Sequence, residues 1–453
     1  MKKWLSVSST LLSAISSALM LCSMPVTARE DLRNLNFFPQ PISSETVTGP
    51  LLAPALDLPI ADQEFLDDAE GDMAIAQSIA KYTLQASDTE NRSGPYDPGL
   101  IQTYQTLASL YQQSGDLHKA VEMLNLQLQV IRVTKGLFSI EQGDVFRSLV
   151  NTHVEAGDLE SAHLYQEALL NLEMRAYGKD SLQFVSSRLE WADWNMNHYL
   201  TLSAEETSRT GRKIEDPRVV AAYDNYVAAL EIMQNNSRYA DQRMITTERK
   251  LAALNFIVNR KMHDLSRTPA ASTNWQAAVQ AQQQKLEQAD AAHFFNGSSA
   301  LKRAIVYSSS SPQPDYDFIA QRMMELGDWY LLFDRRAAAI DIYSNALEVL
   351  TAANIPEKEI NRILSPGLPV QTPDLTWQQP AESDQYAGFI DVEFELSRYG
   401  VASNPQILSS TEQDTRIEKE LIRTIRKCKF RPMIADGTLL DNEKVKLRYY
   451  YTL

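Results

Sequence analysis

Two glycines 42 residues apart, Gly115 and Gly157, constrain this chain more than any other feature. Each sits in a short polar turn, Ser114-Gly-Asp116 and Ala156-Gly-Asp158, between stretches of helical periodicity. The flanking residues match. Tyr104, Leu107, Ala108, Tyr111 and Ala120 in the first copy answer to Phe146, Leu149, Val150, His153 and Ala162 in the second. Large residues recur on a packing face and small ones where helices cross. That is the pattern of helical hairpins that stack because none can bury its apolar face alone. Helical patterns continue with almost no strand signal over residues 62–364, so the repeat reading predicts an α-solenoid there.

The two copies resemble the tetratricopeptide repeat (TPR), in the longer-period variety found in kinesin light chain. The stretch Ala168-Leu-Leu-Asn-Leu-Glu-Met-Arg-Ala-Tyr-Gly-Lys-Asp180 is similar to that variety's inter-repeat segment. A third copy stands far downstream, where Leu326, Gly327, Tyr330, Ala339, Tyr343 and Ala346 fit the same template. Between the copies, residues 217–233, 242–265 and 274–292 read as helices whose repeat signature has degraded. The Ala- and Gln-rich run over 276–288 contains strong helix formers and no Gly or Pro, so it is read as a solvated helix rather than a low-complexity linker.

The last 66 residues change period. Gly388-Phe-Ile-Asp-Val-Glu-Phe-Glu-Leu396 alternates strictly, with Ile390, Val392, Phe394 and Leu396 on one face and Phe389, Asp391, Glu393 and Glu395 on the other. This predicts a half-buried strand. Residues 397–400 turn the chain and 401–409 run back. From 413 to 429, Ile417, Leu421, Ile422, Ile425 and Cys428 fall at helical spacing. Pro432 is expected to end that helix, since it lacks the N–H that continues the ladder. Asp436-Gly437 turns the chain once more, and residues 444–451 alternate again. The fold class expected for the whole chain is therefore mainly α: a TPR-like α-solenoid followed by a small α+β domain of ββαβ order with an antiparallel sheet.

Gly388-Phe-Ile-Asp-Val, Tyr399-Gly400-Val401, Lys429-Phe430-Arg431-Pro432 and Asp436-Gly437 together resemble the C-terminal domain of the TonB family. In that family a glycine opens the first strand, an aspartate-glycine type turn joins strands one and two, and a Phe-Arg-Pro triplet closes the helix. The resemblance thus gives structural roles to Gly388, Gly400, Phe430, Arg431, Pro432 and Gly437. Tyr399 stands where an acidic turn residue is commoner, and Lys427-Cys428-Lys429 where an aromatic often precedes the triplet. The resemblance covers about a seventh of the chain. It implies a domain that engages a short peptide on outer-membrane transporters. In TonB proteins a proline-rich stalk joins that domain to an N-terminal transmembrane helix, which draws on the inner-membrane proton gradient through the ExbB and ExbD proteins.

Met1-Lys-Lys3 and the uncharged run to Thr27 read as a secretory signal, with Val26-Thr-Ala28 as its cleavage site. Residues 1–28 are expected to be removed, and 29–61, rich in Pro, Ser and Thr, to form an extended, poorly ordered leader. Lipidation at Cys22 is disfavoured by Leu21, where such signals carry a small residue. Retention as an anchor is disfavoured by seven serines and threonines before Cys22, although the run approaches the roughly 20 apolar residues that span a bilayer. It also lacks the histidine typical of the TonB anchor. After cleavage only Cys428 remains, so no intramolecular disulfide can form, and its place on an apolar stripe predicts a core position. Residues 365–385, with Pro366, Pro369, Pro373 and Pro380, are expected to be an extended linker to the C-terminal domain at 386–453.

Of the net charge of −15, residues 388–453 contribute +1 and the remainder −16. Such an acidic body lacks the basic footprint that nucleic acid or anionic membrane surfaces require. The six histidines, at 118, 153, 163, 198, 263 and 293, are scattered through helices, and His153 stands at a repeat packing position. No zinc-binding His-Glu-x-x-His, cysteine pair, phosphate loop or nucleophile elbow occurs, and Asp67-Asp68 reads as a solvated helix face. The expectation is a protein with no catalytic residues, cofactor or metal site.

Binding is the function that remains. Stacked hairpins offer an extended surface to a peptide or protein, and the last strand, which nothing later in the sequence covers, offers an edge to which a partner strand could add. Contact is expected from the backbone between Lys444 and Tyr451 and from the outward Lys446, Arg448 and Tyr450. Asp391, Glu393 and Glu395 would face Lys444, Lys446 and Arg448 if the first and last strands are antiparallel neighbours, each pair contributing about 0.2–1 kcal/mol. That arrangement predicts the first strand at the centre and the last at an edge. The sequence therefore points to a periplasmic protein–protein interaction scaffold. The alternative is a membrane-anchored TonB-type energy transducer for outer-membrane transport, facing the periplasm with its N-terminal run retained.

Overall fold

A helical hairpin needs a turn that reverses the chain and a helix start whose first N–H groups find acceptors. Both are visible in the computed structural model, which describes residues 36–41, 61–209, 216–236, 241–266, 275–311, 313–363, 369–370, 388–411, 414–435 and 438–452. After a short strand β1 (Asn36–Pro41) come α1 (Ala61–Ser93), α2 (Leu100–Gln113), α3 (Leu117–Lys135), α4 (Gln142–Glu155), α5 (Leu159–Tyr177) and α6 (Val185–Arg209). The next helices are α7 (Pro217–Asn236), α8 (Gln242–Ser266), α9 (Trp275–Ser309), α10 (Tyr316–Leu332), α11 (Arg336–Ala352) and α12 (Glu357–Ile363). The chain closes with β2 (Gly388–Leu396), β3 (Ala402–Ser410), α13 (Thr415–Lys427), β4 (Ile434–Ala435), β5 (Thr438–Leu439) and β6 (Glu443–Thr452). The expected signal over 1–28, most of the leader and of the linker, and the Asp436-Gly437 turn lie outside the described residues.

The described chain divides into two compact units. One, Pro50–His198 with Asp224–Ile232, contains the hairpins α2–α3 and α4–α5. Their turns are built alike. Gly115 and Gly157 both adopt φ +76°, the left-handed region that favours glycine, and the next N–H closes the turn onto Tyr111 O and His153 O respectively. Asp116 and Asp158 then cap the following helices by accepting from Lys119 N and Ser161 N, each cap being worth about 1 kcal/mol. Leu124, Leu128, Phe146, Leu149 and Leu169 form the core between the hairpins. Each such side chain, fully buried, contributes about 1.5–3 kcal/mol.

The second unit, Met1–Gly49 with Tyr199–Tyr223 and Met233–Leu453, holds the helices α8–α12 and the C-terminal sheet. The expected helix at 274–292 is in fact the first part of α9, which continues to Ser309 and buries Ala300, Leu301 and Ala304. Gly297 does not interrupt it because the Trp329 ring occupies the place of its side chain, 2.0 Å from where a Cβ would lie. Gly327 of α10 plays the same part for the ring of Tyr343 on α11, whose nearest carbon lies 2.3 Å from its Cβ position.

The main sheet has the order β1-β6-β2-β3, every neighbour antiparallel. β2 is central, as the charge pattern predicted, and Glu393 pairs directly with Lys446. The final strand is not at an edge. β1 pairs along it, from Asn36 opposite Thr452 to Pro41 opposite Leu447. The expectation failed because it weighed only residues later in the sequence than β6, whereas the covering strand comes from the stretch read as a poorly ordered leader. Proline, which argued against order there, is tolerated in an edge strand.

Beneath the sheet, Ile417, Leu421 and Ile425 of α13 pack with Val392, Phe394, Leu447, Tyr449 and Phe430 into one apolar core, and Cys428 lies half-buried against it. α13 ends at Lys427, not at Pro432. Cys428 turns extended, at ψ 149°, so that the Phe430 N–H can donate to Gly400 O at 3.0 Å. The two-residue pair β4–β5 was not anticipated, since strands so short carry no periodicity.

Gly327→Ala should lower stability by about 1–3 kcal/mol, because the added methyl must displace a fully buried ring. A fall in the urea midpoint of the intact protein reads this out; an unchanged midpoint would show that Tyr343 can move aside.

Candidate functional site

The residues with binding potential cluster on the sheet, and its charges sort into two classes. Asp391 is almost buried and receives Arg448 through two bonds, at 2.8 and 2.9 Å, while the Ser409 hydroxyl donates to it at 2.7 Å. Burial pushes the Asp391 carboxyl up, but the bonds from Arg448 and Ser409 outweigh it and hold the group below its ordinary value. The Arg448 guanidinium also lies 4.0 Å from the centre of the Phe389 ring. Arg448 is thus committed to the sheet. Lys444 and Lys446 both reach Glu393, at 2.9 and 3.4 Å, yet keep side-chain exposures of 65% and 57%. Tyr450 is half-buried, its ring 6.4 Å from Phe389.

Of the residues assigned structural roles, Gly400, Phe430 and Pro432 meet at the helix exit, while Gly388 stands at the far end of β2. Gly400, at φ +71°, leaves no room for a side chain, since a Cβ would fall 2.0 Å from Phe430 O. Gly388 lies against the Tyr451 ring, Phe430 is fully buried, and Pro432 is buried beside it. Gly437 is outside the described residues.

Arg431 reaches away from its own domain. Its guanidinium grips both carboxylate oxygens of Asp328 on α10, with Nε donating at 2.8 Å to Oδ1, and Tyr343 donates to the same carboxylate at 2.8 Å. Asp328 is 2% exposed. Burial beside that carboxylate pushes the Tyr343 phenol well above its usual range. Lys429 adds a bond to Leu332 O at 2.9 Å and an ion pair with Asp334 at 2.9 Å. Val370 N donates to Lys429 O at 2.7 Å, and Val370 and Ile434 enter the apolar cluster of α10, α11 and α12. The Phe-Arg-Pro segment is therefore the seam between the sheet domain and the last TPR-like hairpin.

Sequence reasoning missed Asp328. The equivalent positions of the first two hairpins, Ser109 and Asn151, are exposed. An acidic residue directly after the helix-crossing Gly327 was the available signal.

The hairpins themselves offer a polar depression of about 330 Å³, lined by Arg147, Glu173, Tyr177, Gln183, Ser186 and Ser187. Arg147 bonds Glu173 there at 2.7 Å, and burial pushes the neighbouring Glu190 carboxyl up against the pull of Arg147. His153 stacks on Tyr165 with ring centres 5.4 Å apart and lies 3.2 Å from Asp158. Among the described residues no group of three His, Cys, Asp or Glu is placed to hold a metal ion, and no helix is long and apolar enough to cross a membrane.

The fold is that of a mainly α protein with TPR-like helical hairpins and a small α+β domain docked on the last of them. Solved structures similar to the chain include BtubC (BKLC) from P. vanneervenii, at 16% identity and a TM-score of 0.35, over 62% of this chain and 93% of that one. A putative kinesin light chain from Podosopora anserina with nearly identical TPR-like repeats is similar at 13% identity and a TM-score of 0.36, over 57% of this chain and 99% of that one. A point variant of that kinesin light chain is similar at 12% identity and a TM-score of 0.36, over 56% and 97% respectively. No family model matches the chain, and no curated protein matches it.

Two outcomes are expected from unfolding in urea. Arg431→Met should cost about 3–5 kcal/mol by stranding a buried carboxylate, whereas Lys446→Ala should stay within about 0.5 kcal/mol. Equal effects would show that the seam carries no energy. Asp391, with its folded value depressed, contributes stability that is present above its ordinary value of 3.8 and is lost as pH falls through the folded one. Asp391→Asn should therefore be about 2 kcal/mol less stable at neutral pH, a gap that closes on acidification below that value. A gap independent of pH would contradict the pairing.

Proposed function

We propose that this protein is a periplasmic protein–protein interaction scaffold without enzymatic activity. Its TPR-like hairpins take one partner and its C-terminal domain another. The observation that carries the reading is the edge of β6, which accepts an extended segment from outside residues 388–453 along six successive residue pairs. Strand addition of this kind supplies affinity through the backbone and leaves selectivity to the flanking side chains. Exposed Lys444 and Lys446 are the side chains placed to give it.

Three further features support the proposal. The C-terminal domain resembles that of the TonB family through Gly388, Gly400, Phe430, Arg431 and Pro432, which favours a peptide ligand on an envelope protein. Residues 1–28 carry the pattern of a cleaved secretory signal. Arg448 with Asp391 and Arg431 with Asp328 are spent on holding the fold, which favours binding over catalysis.

The test is the mature N-terminus and the fractionation of the protein from its native host. A chain that begins near Arg29 and is released by osmotic shock is the expected result. An intact Met1 retained in the inner membrane would overturn the proposal in favour of a TonB-type energy transducer.

A further inference from the structure

β6 spans Glu443–Thr452, but β1 pairs only with its second part, from Leu447 to Thr452. Over residues 443–446 no described strand pairs with the side of β6 that faces away from β2. β1 is, moreover, a short occupant. It has six residues, only every second of which turns its N–H toward β6, and its two prolines bring no N–H of their own. Pro39 and Pro41 stand opposite Tyr449 and Leu447, two residues apart, and so belong to the same side of the strand. The N–H groups that face β6 are then those of Asn36, Phe38 and Gln40, opposite Thr452, Tyr450 and Arg448. The proline side faces outward, where it blunts the edge against any further strand.

We propose that β1 is a displaceable strand holding the place of a partner, and that residues 443–446 are the toehold from which an extended acidic segment displaces it. The inference rests on the reading of the β6 edge as a docking edge. A partner strand in the register of β1 but continuing past the position of Pro41 meets Lys446 with its next residue and Lys444 two residues later. Both lysines are exposed, and their shared partner Glu393 sits on β2, not on the incoming side. Acidic residues at those two positions gain cation contacts that β1 does not make, and the added backbone bonds of the toehold tip the exchange. While β1 is in place, the apparent affinity for any partner strand is reduced by the fraction of molecules in which the edge is open.

The probe is a fluorescent peptide, acetyl-NFFPQPETET-amide, which repeats β1 and adds glutamates opposite Lys446 and Lys444. It is titrated against the full-length protein, against Phe38→Pro, which removes one inward N–H of β1, and against Phe38→Pro carrying Lys444→Glu and Lys446→Glu. Phe38→Pro is expected to bind the probe at least about tenfold more tightly than the unaltered protein, and the charge reversal to remove most of that gain. Hydrogen exchange gives an independent readout: Phe38→Pro should speed exchange at the amides of Arg448 and Tyr450 while those of Leu447 and Tyr449, which face β2, stay protected. Equal affinities for the unaltered protein and Phe38→Pro, or no binding to Phe38→Pro, would overturn the displaceable strand. Affinity indifferent to the charge reversal would overturn the toehold. None of these outcomes depends on where the protein resides in the cell, so a failed fractionation test of the scaffold reading remains distinguishable.

Discussion

One buried carboxylate, that of Asp328, organises the C-terminal half of this protein. It faces Arg431 from the sheet domain and Tyr343 from the neighbouring helix, and it is almost wholly removed from water. A buried ion pair of this kind is weak evidence for stability, since desolvation offsets much of the attraction. Its effect is on uniqueness. A carboxylate that has lost its solvent must find both donors, and only one placement of the sheet domain against α10 and α11 brings Arg431 to it. Around that contact the apolar cluster of Val370, Ile434, Ile360 and Leu350 closes, and the Lys429 bonds to Leu332 O and Asp334 fix the rotation.

The last hairpin keeps the packing residues of the repeat but differs from the first two in its turn, where it meets this seam. Where the first two hairpins carry Gly115 and Gly157 in the left-handed turn, the last carries Asp334, at φ 57°, a residue type that tolerates that conformation better than most. Where they carry the capping Asp116 and Asp158, it carries Arg335, which makes no side-chain cap and instead lies 3.8 Å from the centre of the Phe294 ring. The turn that elsewhere reverses the chain and caps its own next helix here supplies an ion-pair partner to Lys429 of the sheet domain. Within this unit, the hairpin α10–α11 thereby holds the sheet domain against its own face.

Much of this was legible in the residues. The 42-residue spacing of two glycines gave the hairpins, and strict alternation from Gly388 gave a central strand whose acidic residues meet the basic ones of β6. The features that escaped it depend on contacts between distant segments. Periodicity cannot say that Asn36–Pro41, short and proline-bearing, pairs with the last strand, because strand pairing at long separation leaves no local pattern. Nor can it say that Arg431 leaves its own domain for Asp328. Pro432 misled for a related reason: the helix ends earlier, at Lys427, where the backbone must swing out to seat Phe430 against Gly400. At the candidate docking edge, the alternation marked Arg448 as outward without revealing that Asp391 and Phe389 already hold it.

Hydrogen exchange on the intact chain tests most directly whether the Asp328 seam makes the sheet domain and the last hairpin one body. Amides in the middle of β2 and in α11 are expected to open together, with one common free energy and one common dependence on denaturant. Protection in α11 that persists under conditions where β2 has fully exchanged would mean that the two open separately, and would contradict the view that the C-terminal sheet is held and presented by the hairpin beneath it.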